Sequence, residues 1–226
     1  MTLIIQGISI EVTRKKIKNI HLRVRSGSAD VQMSVPRRMT DAQIEAFATS
    51  KLDWIIKHRE RALSAKPKEQ KYLSGETLYL FGKPYTLRTE HSEKTAVTTD
   101  GECIILYVGK HSTKEERETA IKKFYKAELE RELTSLLAKW EGITNLKCAS
   151  FSIRDMKTRW GSCSVQSARM RFNLGLAERP IEFVEYVVLH ELAHLRVSNH
   201  GAEFKAILDE YMPNWRERKN ALNTKM

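Results

Sequence analysis

The 226-residue chain is 41% hydrophobic and 30% charged, the balance of a globular protein with room for one large domain or two small ones. Its three cysteines, Cys103, Cys148 and Cys163, are widely spaced and never in Cys-x-x-Cys, which argues against a disulfide framework and a zinc ribbon and leaves histidines and carboxylates to hold any metal. The net charge of +11 attracts anions, whether nucleotides, nucleic acid, acidic peptides or anionic lipid, and the most apolar long run, Phe183 to Leu195, is too interrupted by ionisable groups to sit in lipid.

Met1 to Gly7 lacks the basic start and long apolar stretch of a signal peptide, so a cytoplasmic location is expected. Asn19 to Arg25 alternates strictly, with Ile20, Leu22 and Val24 on one face and His21, Arg23 and Arg25 on the other. Ser26-Gly27-Ser28 has turn chemistry, and Val31, Met33 and Val35 alternate again, which predicts a hairpin ended by Pro36. A helix over about 41–64, opened by Thr40 or Asp41, places Ile44, Ala48, Leu52 and Ile55 on one face. Lys66 to Lys71 reads as a polar connection. Leu78 to Phe81 and Tyr85 to Arg88 flank Gly82-Lys83-Pro84 as a second hairpin, and Cys103 to Val108 is a further strand.

Thr113-Lys114-Glu115-Glu116 has the form of a capping box and opens a long amphipathic helix carrying Ile121, Phe124, Leu129, Leu133 and Trp140, with Gly142 as its stop. The chain therefore divides near Gly109, into a β-rich region (1–109) and a helical half (110–226). No repeat, Walker loop or Gly-x-Gly-x-x-Gly turn is visible.

The chemistry concentrates in the last third. Pro180 suits the first turn of a helix running from Ile181 to about Val197, apolar around so much of its circumference that it must be buried. Into that interior it carries His190-Glu191-Leu192-Ala193-His194. Histidines four apart stand over the same turn, near enough to share one tetrahedral zinc ion. Glu191 is rotated away from the first histidine and suits a general base acting on water at the metal's open side. A third ligand must come from another segment. Ser198-Asn199 and Gly201 offer a reversal that brings His200 back, with Glu203 and Glu210, on a helix over Ala202 to Tyr211, as rivals.

Met156 to Ser164, Arg171-Phe172-Asn173-Leu174, His190 to Leu195, Asn199-His200 and Pro213-Asn214-Trp215 together resemble the YgjP-like family of metal-dependent hydrolases, itself similar to SprT-like and compact gluzincin-like metallopeptidase domains. The resemblance implies an α+β fold: a zincin-like catalytic half with its HExxH helix, preceded by a β-rich amino-terminal region containing one helix. It also implies one zinc ion held by His190, His194 and His200, with Glu191 activating water. The histidine spacing matches metzincins too, but Val197 stands where they have glycine, and Met212 reads as a packing residue rather than their methionine turn.

Met170 to Leu176 reads as a strand along the cleft able to pair with extended substrate, and Arg159 or Arg154 is placed to stabilise an oxyanion or a phosphate. Trp160 and Cys163 read as packing residues of a tight hairpin, and Tyr211 as a core tyrosine. The substrate stays open. A metallopeptidase is favoured by motif, a zinc-dependent nucleoside triphosphate hydrolase by charge and arginines, and a nucleic-acid-associated module by the basic strand faces. Membrane partners are not expected.

Overall fold

In the computed structural model, which describes residues 1–25, 28–64 and 70–222, the chain opens with a tight hairpin. Strands β1 (Thr2–Ile5) and β2 (Ile8–Lys15) pair antiparallel across Gln6 and Gly7, both at positive φ (45° and 76°). Two left-handed residues give a turn whose twist matches that of the strands it joins. The alternation in β2 was legible as Ile8, Ile10 and Val12, yet the expected elements began only at Asn19.

Strands β3 (His21–Val24) and β4 (Val31–Pro36) form the expected antiparallel pair, and β4 also runs parallel to β2, giving the order β1-β2-β4-β3. Ile10, Val12, Val31, Met33 and Val35 turn inward. Ser26 and Gly27, and Lys66 to Glu69 of the expected connection, lie outside the described residues. Thr40 caps α1 (Asp41–Ser50) through a capping box with Gln43. The single helix expected over 41–64 is two. Lys51 leaves helical geometry (φ −108°, ψ 11°), its N–H reaching back to Ala48, and α2 (Leu52–Ser64) restarts beyond it. Ile44, Ala48 and Ile55 close this first core.

The division between compact units falls at Gln70 and Lys71, not near Gly109. Strands β5 (Thr77–Leu80), β6 (Lys83–His91), β7 (Ala96–Thr99) and β8 (Cys103–Val108) belong with the helical part of the chain, because Leu87, Ile104 and Leu106 share one core with Ile121, Leu129, Val184 and Leu192. Their sheet, β5-β6-β8-β7, repeats the first in pairing sense as well as order: antiparallel, parallel, antiparallel. Its hairpin again turns on two left-handed residues, Phe81 and Gly82 (49° and 80°), one step earlier than Gly82-Lys83-Pro84, and Pro84 sits in the strand opposite Tyr79. A repeat invisible in the sequence is thus present in the ladders.

Thr113 caps α3 (Lys114–Thr144) by the expected box with Glu116. The helix passes Gly142 and stops at Asn145, which takes the left-handed conformation (φ 58°) that asparagine tolerates. Strands β9 (Ser150–Arg154), β10 (Gly161–Ser164) and β11 (Arg169–Asn173) form a third sheet in the order β10-β11-β9. Beyond Asn173 the expected strand gives way to a 3-10 turn, Leu174–Glu178. Helices α4 (Ile181–Ala193), α5 (Ala202–Tyr211) and α6 (Trp215–Leu222) complete the unit. The α4 helix ends four residues before Val197. Among the described residues no helix is long and apolar enough to cross a membrane.

Candidate metal centre

Helix α4 is buried along Val184, Val187, Val188, Leu189 and Leu192, and ion pairs from Glu185 to Lys139 of α3 (2.5 Å) and Arg218 of α6 (2.7 Å) fix its rotation. Its first turn is pinned as well. The Phe81 N–H donates to Ala177 (2.7 Å), and Gly82 lies so close to Pro180 that a Cβ there would stand 2.7 Å from Pro180 Cγ. The second hairpin tip thereby sets where α4 begins.

At the other end of α4, His190 and His194 stand on successive turns, and the chain leaves the helix at His194 through 3-10-type bonds from Leu195 and Arg196. This tight exit lets His200 return. The three imidazoles form the one group of metal-capable side chains found among the described residues, with a ligand nitrogen from each lying within 4.8 Å of the others. His190 Nε2 and His200 Nε2 are 3.1 Å apart. Tetrahedral zinc with bonds near 2.0–2.1 Å holds its nitrogens about 3.4 Å apart, so small side-chain adjustments suffice. Glu203 and Glu210 are exposed and outside the group.

The Nδ1 atoms of His190 and His194 are occupied. His190 Nδ1 lies 3.2 Å from the Tyr186 hydroxyl, and His194 Nδ1 lies 3.1 Å from the Val197 carbonyl. The Val197 carbonyl can only accept, so it fixes His194 Nδ1 as the protonated nitrogen and leaves Nε2 for an ion, while the Tyr186 hydroxyl orients the His190 ring. Phe204 underlies all three rings at centroid distances of 4.7 to 4.9 Å. Burial, reinforced by the neighbouring histidines and Lys219, pushes the His190 pKa down to about 3, and burial also lowers that of His194. Both are therefore neutral, the form that ligates.

Gly201 has φ −71°, so no left-handed turn requires it there. A Cβ there would meet only Asn199, its Oδ1 at 2.7 Å, the movable end of an exposed side chain that accepts the Gly201 N–H at 2.8 Å.

Glu191 is 4% exposed, and its Oε2 has no hydrogen-bond partner. Burial raises its pKa to about 7, against a lowering pull from Arg159. Its carboxyl lies against Gly161, the first residue of β10, where a Cβ would come within 2.5 Å of Oε1. A cavity of about 170 Å³ opens beside it, lined by Trp160, Gly161, Tyr186, Val187, His190 and Lys219 among others. An orphaned, buried carboxyl oxygen beside a cluster of three imidazoles is a donor set that fits a divalent cation with water beside it. A larger cleft, about 920 Å³, between β7 and α3 contains none of these histidines.

Arg159 is exposed and Arg154 ends β9. The Met156–Arg159 segment is held by Asn173, whose Nδ2 donates to the carbonyls of Met156 and Arg159 (both 2.7 Å). Cys163 is pushed up to about 11, by burial first and then by Glu191, and so stays a thiol. Trp160 packs under the Arg179 guanidinium at 5.2 Å. Met212 and half-buried Tyr211 join the core. Strand β11 is central in its sheet; the edge nearest Glu191 belongs to β10. Sequence reasoning missed Tyr186, Gly161, Phe204 and Lys219. Only Tyr186, one turn before His190, had a local signal.

The chain is 36% identical over 95 residues to protein SprT of Actinobacillus succinogenes, a match covering 37% of this chain and 55% of that protein, so it spans about half the length of this curated relative. Among solved structures it is similar to the metallopeptidase zymogens abylysin of Pyrococcus abyssi (TM-score 0.38, 21% identity, 40% of this chain and 90% of that one) and jannalysin of Methanocaldococcus jannaschii (0.35, 23%, 42% and 92%). The YgjP-like metallopeptidase-domain model matches residues 18–225, and the chain belongs to that family.

Proposed function

We propose that this chain is a zinc-dependent metallopeptidase in which His190, His194 and His200 hold the ion and Glu191 is the general base. The observation that carries the reading is the convergence of three imidazoles, two of them buried enough to stay neutral, beside a buried carboxylate with an unpartnered oxygen. Bound zinc supplies positive charge that acidifies water and polarises a carbonyl. Tyr186 and the Val197 carbonyl orient the ligands. Glu191 takes a proton from water and passes it to the departing amine, and a pKa near neutrality suits both halves of that task. Arg159, near enough to pull on Glu191, bears part of the charge that develops on the substrate. Among the described residues the outer edge of β10 has no strand beside it, and it offers backbone groups to an extended peptide, a role the central strand β11 cannot fill.

The second reading, hydrolysis of nucleoside triphosphates, draws on Lys219 in the cavity and on Arg159. Incubating the zinc-loaded protein, with Glu191→Gln beside it, against denatured protein, peptides and nucleoside triphosphates separates the two. Peptide-bond cleavage that Glu191→Gln abolishes is the expected result. Triphosphate turnover with polypeptide untouched assigns the second.

A further inference from the structure

The two repeated ladders differ in charge. Residues 1–70 carry 14 Lys+Arg against 7 Asp+Glu, so +7 of the chain's +11 lies in the first unit, less than a third of its length. The register concentrates that charge. Strands β2 and β4 run parallel, with Lys15 opposite Pro36, so Lys15 and Lys16 leave the sheet at the same end as Arg37 and Arg38. Lys18 leads into His21, which pairs with Ser34 at that end too. All five cations are exposed. Asp41, three residues after Arg38, is paired with Arg14, whose guanidinium also bonds the Arg37 and Met39 carbonyls and braces the segment that presents Arg37 and Arg38. The corresponding end of the second ladder, where His91 pairs with Val108, is followed by Glu93, Lys94 and Lys110 and is near balance. One backbone plan carries a basic end in one copy only.

We infer that this end of the first sheet binds the phosphate backbone of duplex nucleic acid. The cations fan across three adjacent strands, about 10 Å at ordinary strand spacing, and a duplex presents one negative charge per roughly 1.7 Å of axis. Residues 1–36 contain no Phe, Tyr or Trp, so the sheet offers no platform on which single-stranded bases would stack. The patch also lacks an exposed large apolar side chain, since Ile17 and Met39 are half-buried, and so lacks the group that seats a basic surface in a bilayer. Recognition of this kind is through phosphates and is independent of base sequence.

The test is binding of the full chain to a labelled DNA duplex of about 20 base pairs, at salt from about 50 to 200 mM, where four or five phosphate contacts weaken affinity by about 100-fold. Lys15→Glu/Lys16→Glu/Arg37→Glu/Arg38→Glu should lower affinity at least about 100-fold and flatten the salt dependence. Lys94→Glu/Lys110→Glu/Lys123→Glu/Lys126→Glu removes the same charge from exposed positions of the second unit and should cost only a few-fold. Zinc content and thermal unfolding of both variants check that they fold. Equal weakening by the two variants, no duplex binding by the parent, or binding to phosphatidylserine vesicles in place of the duplex would each overturn the inference. None of these readouts depends on peptidase activity.

Discussion

The chain builds one ladder twice and uses it differently. In the first unit a Cβ at Gly7 of the hairpin tip would meet nothing within 4 Å, and the ladder is followed by two short helices. In the second the equivalent tip is bonded to Ala177 and pressed against Pro180, and the ladder backs a 31-residue helix whose core continues into α4. The difference teaches that a sheet bears on a candidate site through what its turn touches. The ladder itself is scaffold, and a few contacts at Phe81 and Gly82 fix the start of the helix that carries the histidines and Glu191.

The sharpest test of this division of labour is Glu191→Gln. If the second unit holds the chemistry and Glu191 is its base, turnover should drop by about 10³-fold or more while zinc content by metal analysis stays at the parental level. Joint loss of metal and activity would make Glu191 a ligand. Next in size, His200→Ala should weaken zinc binding by about 100-fold, whereas Glu203→Gln and Glu210→Gln leave it within a few-fold. Competitive chelator titration decides, and the opposite ranking would break the His-His-His assignment.

A smaller effect concerns pH in the metal-stripped protein. The Glu191 pKa is raised by burial to about 7, so its contribution to stability is full below about 4.5 and is lost as pH rises through 7. The His190 pKa is depressed to about 3, so its contribution is full above 6.5 and is lost as pH falls through 3. Between 4.5 and 6.5 the two oppose. Glu191→Gln should therefore gain stability over the parent by about 3 kcal/mol above pH 7 and lose that advantage near pH 4. Denaturant melts of the two proteins across pH measure it, and a constant offset would show that Glu191 does not titrate as described.

The finest test sets turn against turn. Gly7→Ala and Gly82→Ala each place a side chain at positive φ, a strain of about 1 kcal/mol. Only Gly82→Ala also drives a methyl into Pro180, backbone Cα included. It should cost about 1–2 kcal/mol more and reduce turnover, whereas Gly7→Ala lowers stability alone. Equal costs would mean that the clamp on α4 gives way freely.

Local features were legible in the sequence. The Thr113 capping box, the Thr40 cap, the β3–β4 pair and the strand β8 appear as read. The histidines were readable because i, i+4 spacing on an apolar helix is a local pattern that few roles explain. Other expectations failed where a neighbour outvoted the local signal. Gly142 did not end α3, because Asn145 made the cap; the 41–64 helix broke at Lys51, and the α4 helix stopped at Ala193.

By itself the sequence determined what neighbouring residues decide between themselves: which segments are helix or strand, where caps form, and that two histidines and a glutamate enter an interior together. Tertiary structure alone decided what distant segments share. The parallel pairings of β2 with β4 and β6 with β8 make the repeat, the Gly161–Glu191 approach shapes the site, and Phe204 floors its imidazoles. Hydrogen-bond and turn preferences act over a few residues and leave periodic traces, whereas close packing between segments far apart in sequence leaves none in either segment alone.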